Sequence, residues 1–206
     1  CVIGDEAHMF KAKSLTGIMT KLHQCKYRFG LTGTLDGTQT HKLVLEGLFG
    51  AAEKVVSTKD LIDKKTLANL KIKCITLKHP NIRQKMTYAE ELDYIVSKES
   101  RNKFILDLCK TLNGNTLCLF QLVEKHGKVL YDGMKVNENV YFVYGGTDTE
   151  QRERIRGLVE GHRKSTTIAS YGTFSTGINI RNINNIVLAS PSKSKIRVLQ
   201  SIGRGL

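Results

Sequence analysis

The chain has 206 residues, 40% hydrophobic and 25% charged, with 32 Lys and Arg against 19 Asp and Glu, giving a formal charge of +13. This is the composition of a folded chain with one sizeable core or two small domains, and the positive surplus favours a polyanionic partner, most simply nucleic acid phosphates, although solubility accounts for part of it. Cys1, Cys25, Cys74, Cys109 and Cys118 form no Cys-x-x-Cys pair, no His-Glu-x-x-His or Cys/His cluster offers a zinc site, and no apolar run spans a bilayer, so a reduced, soluble, cytoplasmic protein is expected.

The first element is the apolar run Val2-Ile3-Gly4, which ends in Asp5-Glu6-Ala7-His8. It reads as a buried parallel strand delivering carboxylates to its carboxyl end, where ligands of open α/β sheets bind. Asp5 could hold magnesium through its water shell, and Glu6 could orient or deprotonate a water for attack on a γ-phosphate. A strand-to-helix turn whose carboxylates merely cap a helix explains the tetrapeptide equally well. Ile18 and Leu22 mark a short helix, and residues 27–32 a strand running into Thr32-Gly33-Thr34. Small hydroxyl residues around a glycine can bridge neighbouring loops there. Residues 42–49 and 58–70 read as helices, and the alternation over 71–77 predicts a strand.

From 79 to about 98 the pattern weakens, and a boundary between two lobes is placed near 68–80. Phe104, Ile105, Leu108 and Leu112 give the stripe of a helix over 101–112, Gly114-Asn115 turns into a strand over 116–120, and a helix is predicted over 122–134. A strand over 140–144 breaks at Gly145-Gly146. Thr147 with Glu150 predicts a capping box for a helix with Ile155, Leu158 and Val159 buried and Gly161 at its end. Strands follow over 166–170 and 185–189, with a helix from Lys193. The glycine-bearing turns at 145–147 and 172–177 sit at strand carboxyl ends, where backbone N–H groups can receive phosphates. Strands alternating with helices predict an α/β fold with a mostly parallel, doubly wound sheet. No Gly-x-x-x-x-Gly-Lys-Ser/Thr loop occurs; Gly161-His162-Arg163-Lys164-Ser165 carries Arg163 where the second glycine must stand, and reads as a basic turn.

Five motifs then stand in order: Asp5-Glu6-Ala7-His8, Thr32-Gly33-Thr34, Leu117-Cys118-Leu119-Phe120, Ser175-Thr176-Gly177-Ile178-Asn179 and Gln200-Ser201-Ile202-Gly203-Arg204. This order resembles motifs II to VI of the superfamily 2 helicases, with residues 115–127 and 145–159 most like the UvsW-type recombination helicases of phages. The resemblance implies two RecA-like lobes, the first truncated: residues 1–70 the end of the first lobe, 71–100 the linker and start of the second, 101–206 the second lobe, cut within motif VI. It implies ATP in the cleft, magnesium on Asp5, water activation by Glu6, and coupling by His8 to Gln200. It further implies that Thr32, Gly33 and Thr34 link hydrolysis to lobe movement, that Arg204 approaches the γ-phosphate as an arginine finger, and that Gly177 and Asn179 lie near the nucleotide. Gly146, Thr147 and Thr173 are the candidates for strand phosphates, the partner being DNA or RNA held through its backbone.

Both ends of the chain fall inside expected elements, so a fragment of a longer helicase is expected, inactive by itself because motif I is missing. A restriction-enzyme motor subunit shares the motifs. A non-catalytic basic binding module explains the charge but not the ordered Asp5/Glu6 and Gln200/Arg204 sets, and a magnesium phosphohydrolase explains only the first motif.

Overall fold

The computed structural model describes residues 1–10, 12–33, 39–78, 85–176 and 180–203. The chain divides into two compact units, Cys1–Leu67 and Ala68–Leu206.

In the first unit, β1 (Val2–Gly4) and β2 (Arg28–Gly30) pair in parallel, with Ile3 opposite Phe29 and Gly4 opposite Gly30. A single 3-10 turn (Ala7–Met9) and α1 (Ala12–Lys21) connect them. The paired glycines have a packing reason: a Cβ on Gly30 would come within 2.9 Å of the Phe49 ring and one on Gly4 within 3.1 Å. Phe49 closes α2 (Gln39–Phe49), and the core beneath is Ala7, Leu15, Met19 and Leu45. The helix expected over 58–70 is only α3 (Thr58–Asp63), begun by a Ser57/Asp60 capping box. It stops because Lys65 turns to φ 55°, a left-handed conformation that ends a helix.

The second unit opens with residues 71–78, which pair with no strand among the described residues, so the expected strand over 71–77 is corrected. A period of two specifies which side chains share a face, not that a neighbouring strand exists. The weakly patterned stretch that follows, for which no helix was expected, contains α4 (Tyr88–Ser97), begun by a Thr87/Glu90 capping box and held by burial of Leu92 and Val96. In α5 (Glu99–Thr111) the buried stripe is Asn102, Ile105 and Cys109, and Phe104 of the expected stripe is exposed.

The sheet of this unit is β3 (Asn115–Phe120), β4 (Val140–Val143), β5 (Ser165–Ser170) and β6 (Ile183–Leu188), in the order β4-β5-β3-β6 with every pairing parallel. This bears out the expected α/β class. All six residues of both β3 and β5 are buried, as central parallel strands require. One face of the sheet packs Leu117, Leu119, Val143 and Ala169 with Ile155 and Val159 of α7 (Thr149–Gly161); the other packs Cys118, Phe120 and Ile168 with Ile105 and Leu130.

The single helix expected over 122–134 is instead a π-helical turn (Val123–Gly127) followed by α6 (Lys128–Asp132). At Gly127 a Cβ would lie 2.5 Å from the Phe120 ring, so the turn passes where only glycine fits. The capping box at Thr147/Glu150 also gives way. Asp148 caps α7 by accepting from Gln151 N at 2.8 Å, while Thr147 Oγ1 accepts from Tyr144 N at 3.1 Å, and Leu158 of the expected stripe is exposed. Tyr171–Thr176, expected as part of a loop, is helix α8, and α9 runs over Lys195–Gly203.

Candidate functional site

In the first unit the acidic turn and the Thr32 turn leave the carboxyl ends of two adjacent parallel strands, so pairing brings them together. The ladder continues past the strands: Leu31 N donates to Gly4 O at 2.8 Å and Ala7 N to Leu31 O at 2.9 Å. Between these bonds Glu6 takes φ 47° and ψ 44°, left-handed for a residue with a Cβ. That conformation is unfavourable and is held here by the flanking bonds. Glu6 N donates to Asp5 Oδ1 at 2.9 Å, which fixes the Asp5 carboxylate.

His8 ties the two turns together. Its Nδ1 lies 2.6 Å from Thr32 Oγ1 and 3.4 Å from Glu6 Oε2. The imidazole is 1% exposed and the Glu6 side chain 55%, so the carboxylate reaches solvent while its neighbour is fixed in place. Asp5, Glu6, His8, Thr32 and Gly33 therefore gather at one edge, an exposed pair of carboxylates braced by a buried imidazole and a hydroxyl. Thr34 lies outside the described residues.

In the second unit the polar groups again collect where β3, β5 and β6 end. Ser190 is the hub. Its Oγ accepts from Gln121 N at 3.1 Å and contacts His126 Nδ1 at 2.7 Å, and its carbonyl accepts from Tyr171 Oη at 2.8 Å. His126 Nε2 lies 3.2 Å from Asn102 Oδ1, and Asn102 Nδ2 donates to Val96 O at 2.8 Å. That last bond makes Asn102 Oδ1 the acceptor, so Nε2 carries the hydrogen and Nδ1 accepts from Ser190. Burial, and then the Arg101 guanidinium, push the His126 pKa down to about 4, and burial pushes Tyr171 up to about 12. Arg101 donates to Ala189 O at 2.5 Å beside this network.

The candidate phosphate contacts take different places. Gly146 is exposed at the turn after β4. Thr147 is buried and its hydroxyl closes that turn, while Thr173 is buried with its hydroxyl 2.7 Å from Ser170 Oγ. Gln200 is half-buried on α9; Gly177, Asn179 and Arg204 lie outside the described residues. His126, Asn102, Ser190 and Tyr171 were not singled out from the sequence. Four polar residues scattered between positions 102 and 190 form no motif, and only folding assembles them.

Parallel sheets with polar turns gathered at their strand ends, on a chain whose acidic turn leaves a strand, define an α/β protein of the RecA-like type. Residues 97–206 match the helicase conserved C-terminal domain family, and the chain belongs to that family. Over 214 aligned residues it is 37% identical to the ATP-dependent DNA helicase uvsW of Enterobacteria phage T4. The alignment covers 100% of this chain and 42% of that protein, so the chain spans less than half the length of this relative. The likeness to superfamily 2 helicases of the UvsW type is thereby shown. Among the described residues no helix is long and apolar enough to cross a membrane, and no three His, Cys, Asp or Glu side chains form a metal cluster.

Proposed function

We propose that the chain is part of an ATP-dependent DNA helicase or translocase working in the cytoplasm, most simply on branched DNA in recombination and repair, with RNA as the lesser candidate partner. The observation that carries this reading is the His8 to Thr32 contact of 2.6 Å, which joins the acidic turn to the next strand-end turn. A helix cap has no use for such a tie. A motor that must pass the state of its nucleotide to the rest of the lobe does.

On this reading residues 1–70 close the first lobe, 71–100 link it to the second, and 101–206 form the second lobe; the parting of the compact units between Leu67 and Ala68 supports it. Glu6 takes the proton from the attacking water, and His8 holds Glu6 and Thr32 in register. Gln200, Arg204, Gly177 and Asn179 serve the nucleotide from the second lobe. Gly146 offers backbone to a strand phosphate, with Thr147 and Thr173 shaping the turns beside it, so contacts follow the backbone and little base sequence is read. Asp5 fits a magnesium ion met through its water shell, being an exposed hard oxygen donor whose carboxylate is fixed by Glu6 N. That ion would supply charge neutralisation at the phosphates of ATP.

The test is ATP hydrolysis by the full-length protein with and without single-stranded and branched DNA or RNA at a stated low salt concentration. Hydrolysis is expected to rise with nucleic acid, and Glu6→Gln to lower it at least about a hundredfold, the scale of a lost general base. The nucleic acid that stimulates best names the substrate, and hydrolysis that survives Glu6→Gln sinks the mechanism. Binding with no stimulated hydrolysis makes the chain a basic binding scaffold.

A further inference from the structure

Among the described residues the sheet of the second unit ends at β4, and along that edge an array of aromatic rings leaves the core. Phe120, fully buried on β3, stacks on Phe142 with ring centres 5.5 Å apart and planes 12° from parallel. Phe142 in turn meets Tyr131 of α6 at 5.2 Å and Tyr144 at 5.4 Å. Both tyrosines are half-buried. Beside them runs a groove of about 500 Å³ lined by Tyr131, Tyr144, Gly146, Thr147, Gln151 and Arg154, among others.

Two details make this more than a packed edge. A Cβ on Gly146 would lie 2.6 Å from the Tyr144 ring, so the glycine is what lets the ring and the exposed turn share one place. The turn itself is braced: Thr147 N donates to Tyr144 O at 3.0 Å, and Arg152 Nη2 donates to Gly145 O at 3.1 Å. A rigid turn and a ring supported from behind by Phe142 form a preorganised pair of surfaces, one for a phosphate and one for a base.

We propose that this groove is a nucleobase-stacking site for a single strand, with Tyr144 as the stacking face and Gly146 beside the adjoining phosphate. It rests on the strand-binding reading above and adds base contacts to it. Charge selects the occupant: the chain carries +13, and Arg154 on the groove is an exposed cation, so a polyanion carrying aromatic bases fits both features. An extended protein segment pairing with the open edge of β4 would use neither.

The chain has seven tyrosines and no tryptophan, so tyrosine fluorescence is not masked, and the loss of quenching in Tyr144→Ala assigns it to this ring. The experiment titrates the 206-residue chain with a thymidine oligonucleotide, a length-matched abasic oligomer and free thymidine monophosphate. The thymidine oligomer is expected to quench the tyrosines and to bind at least about fivefold more tightly than the abasic one, the low end of one stacked base. Tyr144→Ala should remove that difference while leaving abasic binding unchanged, and Tyr144→Phe, which keeps the ring packed on Phe142, should keep it. Equal binding of both oligomers by the unaltered chain overturns the proposal and leaves backbone binding standing; binding of neither overturns both. Thymidine monophosphate binding as tightly as the oligomer makes the groove a mononucleotide site. Tyr144→Ala without effect on either oligomer gives the edge to a protein segment, and both results overturn it.

Discussion

His126 shows what one buried residue does to the pH response of the fold. Its imidazole is neutral between Asn102 and Ser190, with its pKa pushed down to about 4 by burial and by Arg101. In the unfolded chain the same group titrates near 6.5. Above that pH both states hold the imidazole neutral and it contributes no pH dependence. As pH falls from about 6.5 to about 4, the unfolded chain takes up a proton that the folded chain refuses. Stability therefore drops across that window, by up to about 3 kcal/mol, and stays low beneath it. Gln at this position can donate and accept but cannot titrate. Urea unfolding of the second unit at pH 7 and pH 5 should show His126→Gln losing clearly less stability than the unaltered chain over that step, whatever its stability at pH 7. An equal loss in both would assign the acid sensitivity elsewhere. Nothing in the order of residues announces this group, because a lone histidine after Lys125 reads as surface until the π-helical turn carries it inside.

At the scale of an element, α7 separates a motif from its geometry. The Thr147-x-x-Glu150 spacing is that of a capping box, yet the helix begins one residue later and Asp148 supplies the cap. The reason is competition: Thr147 Oγ1 is already bonded to Tyr144 N, closing the turn after β4. Asp148→Ala should cost about 1 kcal/mol in the unfolding of the second unit, as lost caps do. Glu150→Ala should change it by less than about 0.5 kcal/mol, as exposed positions do. The reverse order would restore the box. Elements marked by their own apolar residues were legible: β3 carries Leu117, Cys118, Leu119 and Phe120 in a row, and Ile155 with Val159 marks the buried side of α7. Those that depend on a neighbour were not. Residues 71–77 alternate like a strand without one to pair with, and the bend after Phe120 follows from a ring that Gly127 must pass. In the first unit the acidic and Thr32 turns were legible as strand-end sites, but the contact of His8 with Thr32 comes from the parallel register of Gly4 with Gly30.

At the scale of the whole molecule, the two units hold unequal cores. The second has apolar clusters on both faces of a four-stranded sheet, whereas the first, among the described residues, has Ala7, Leu15, Met19 and Leu45 under a two-stranded sheet. Parallel strands are normally covered on both faces. Here Phe49 and the core cover one side, while Ile3 is 65% exposed and its partner Phe29 is 52% exposed. A cross-strand pair of that size left bare is a hydrophobic patch, and a core that small gives little stability of its own. The 206-residue chain should therefore unfold in two steps in urea, the first unit at the lower concentration, read as separate transitions by fluorophores placed, in a chain whose exposed Cys1 and Cys74 are replaced by serine, on Cys25 and on an introduced surface cysteine of the second unit. In native buffer it should bind an apolar dye, and Ile3→Thr with Phe29→Thr should reduce that signal sharply without shifting the second transition. One coincident transition at both labels, or dye binding unaffected by the two substitutions, would contradict the reading of Cys1–Leu67 as a thinly held unit with an open apolar face.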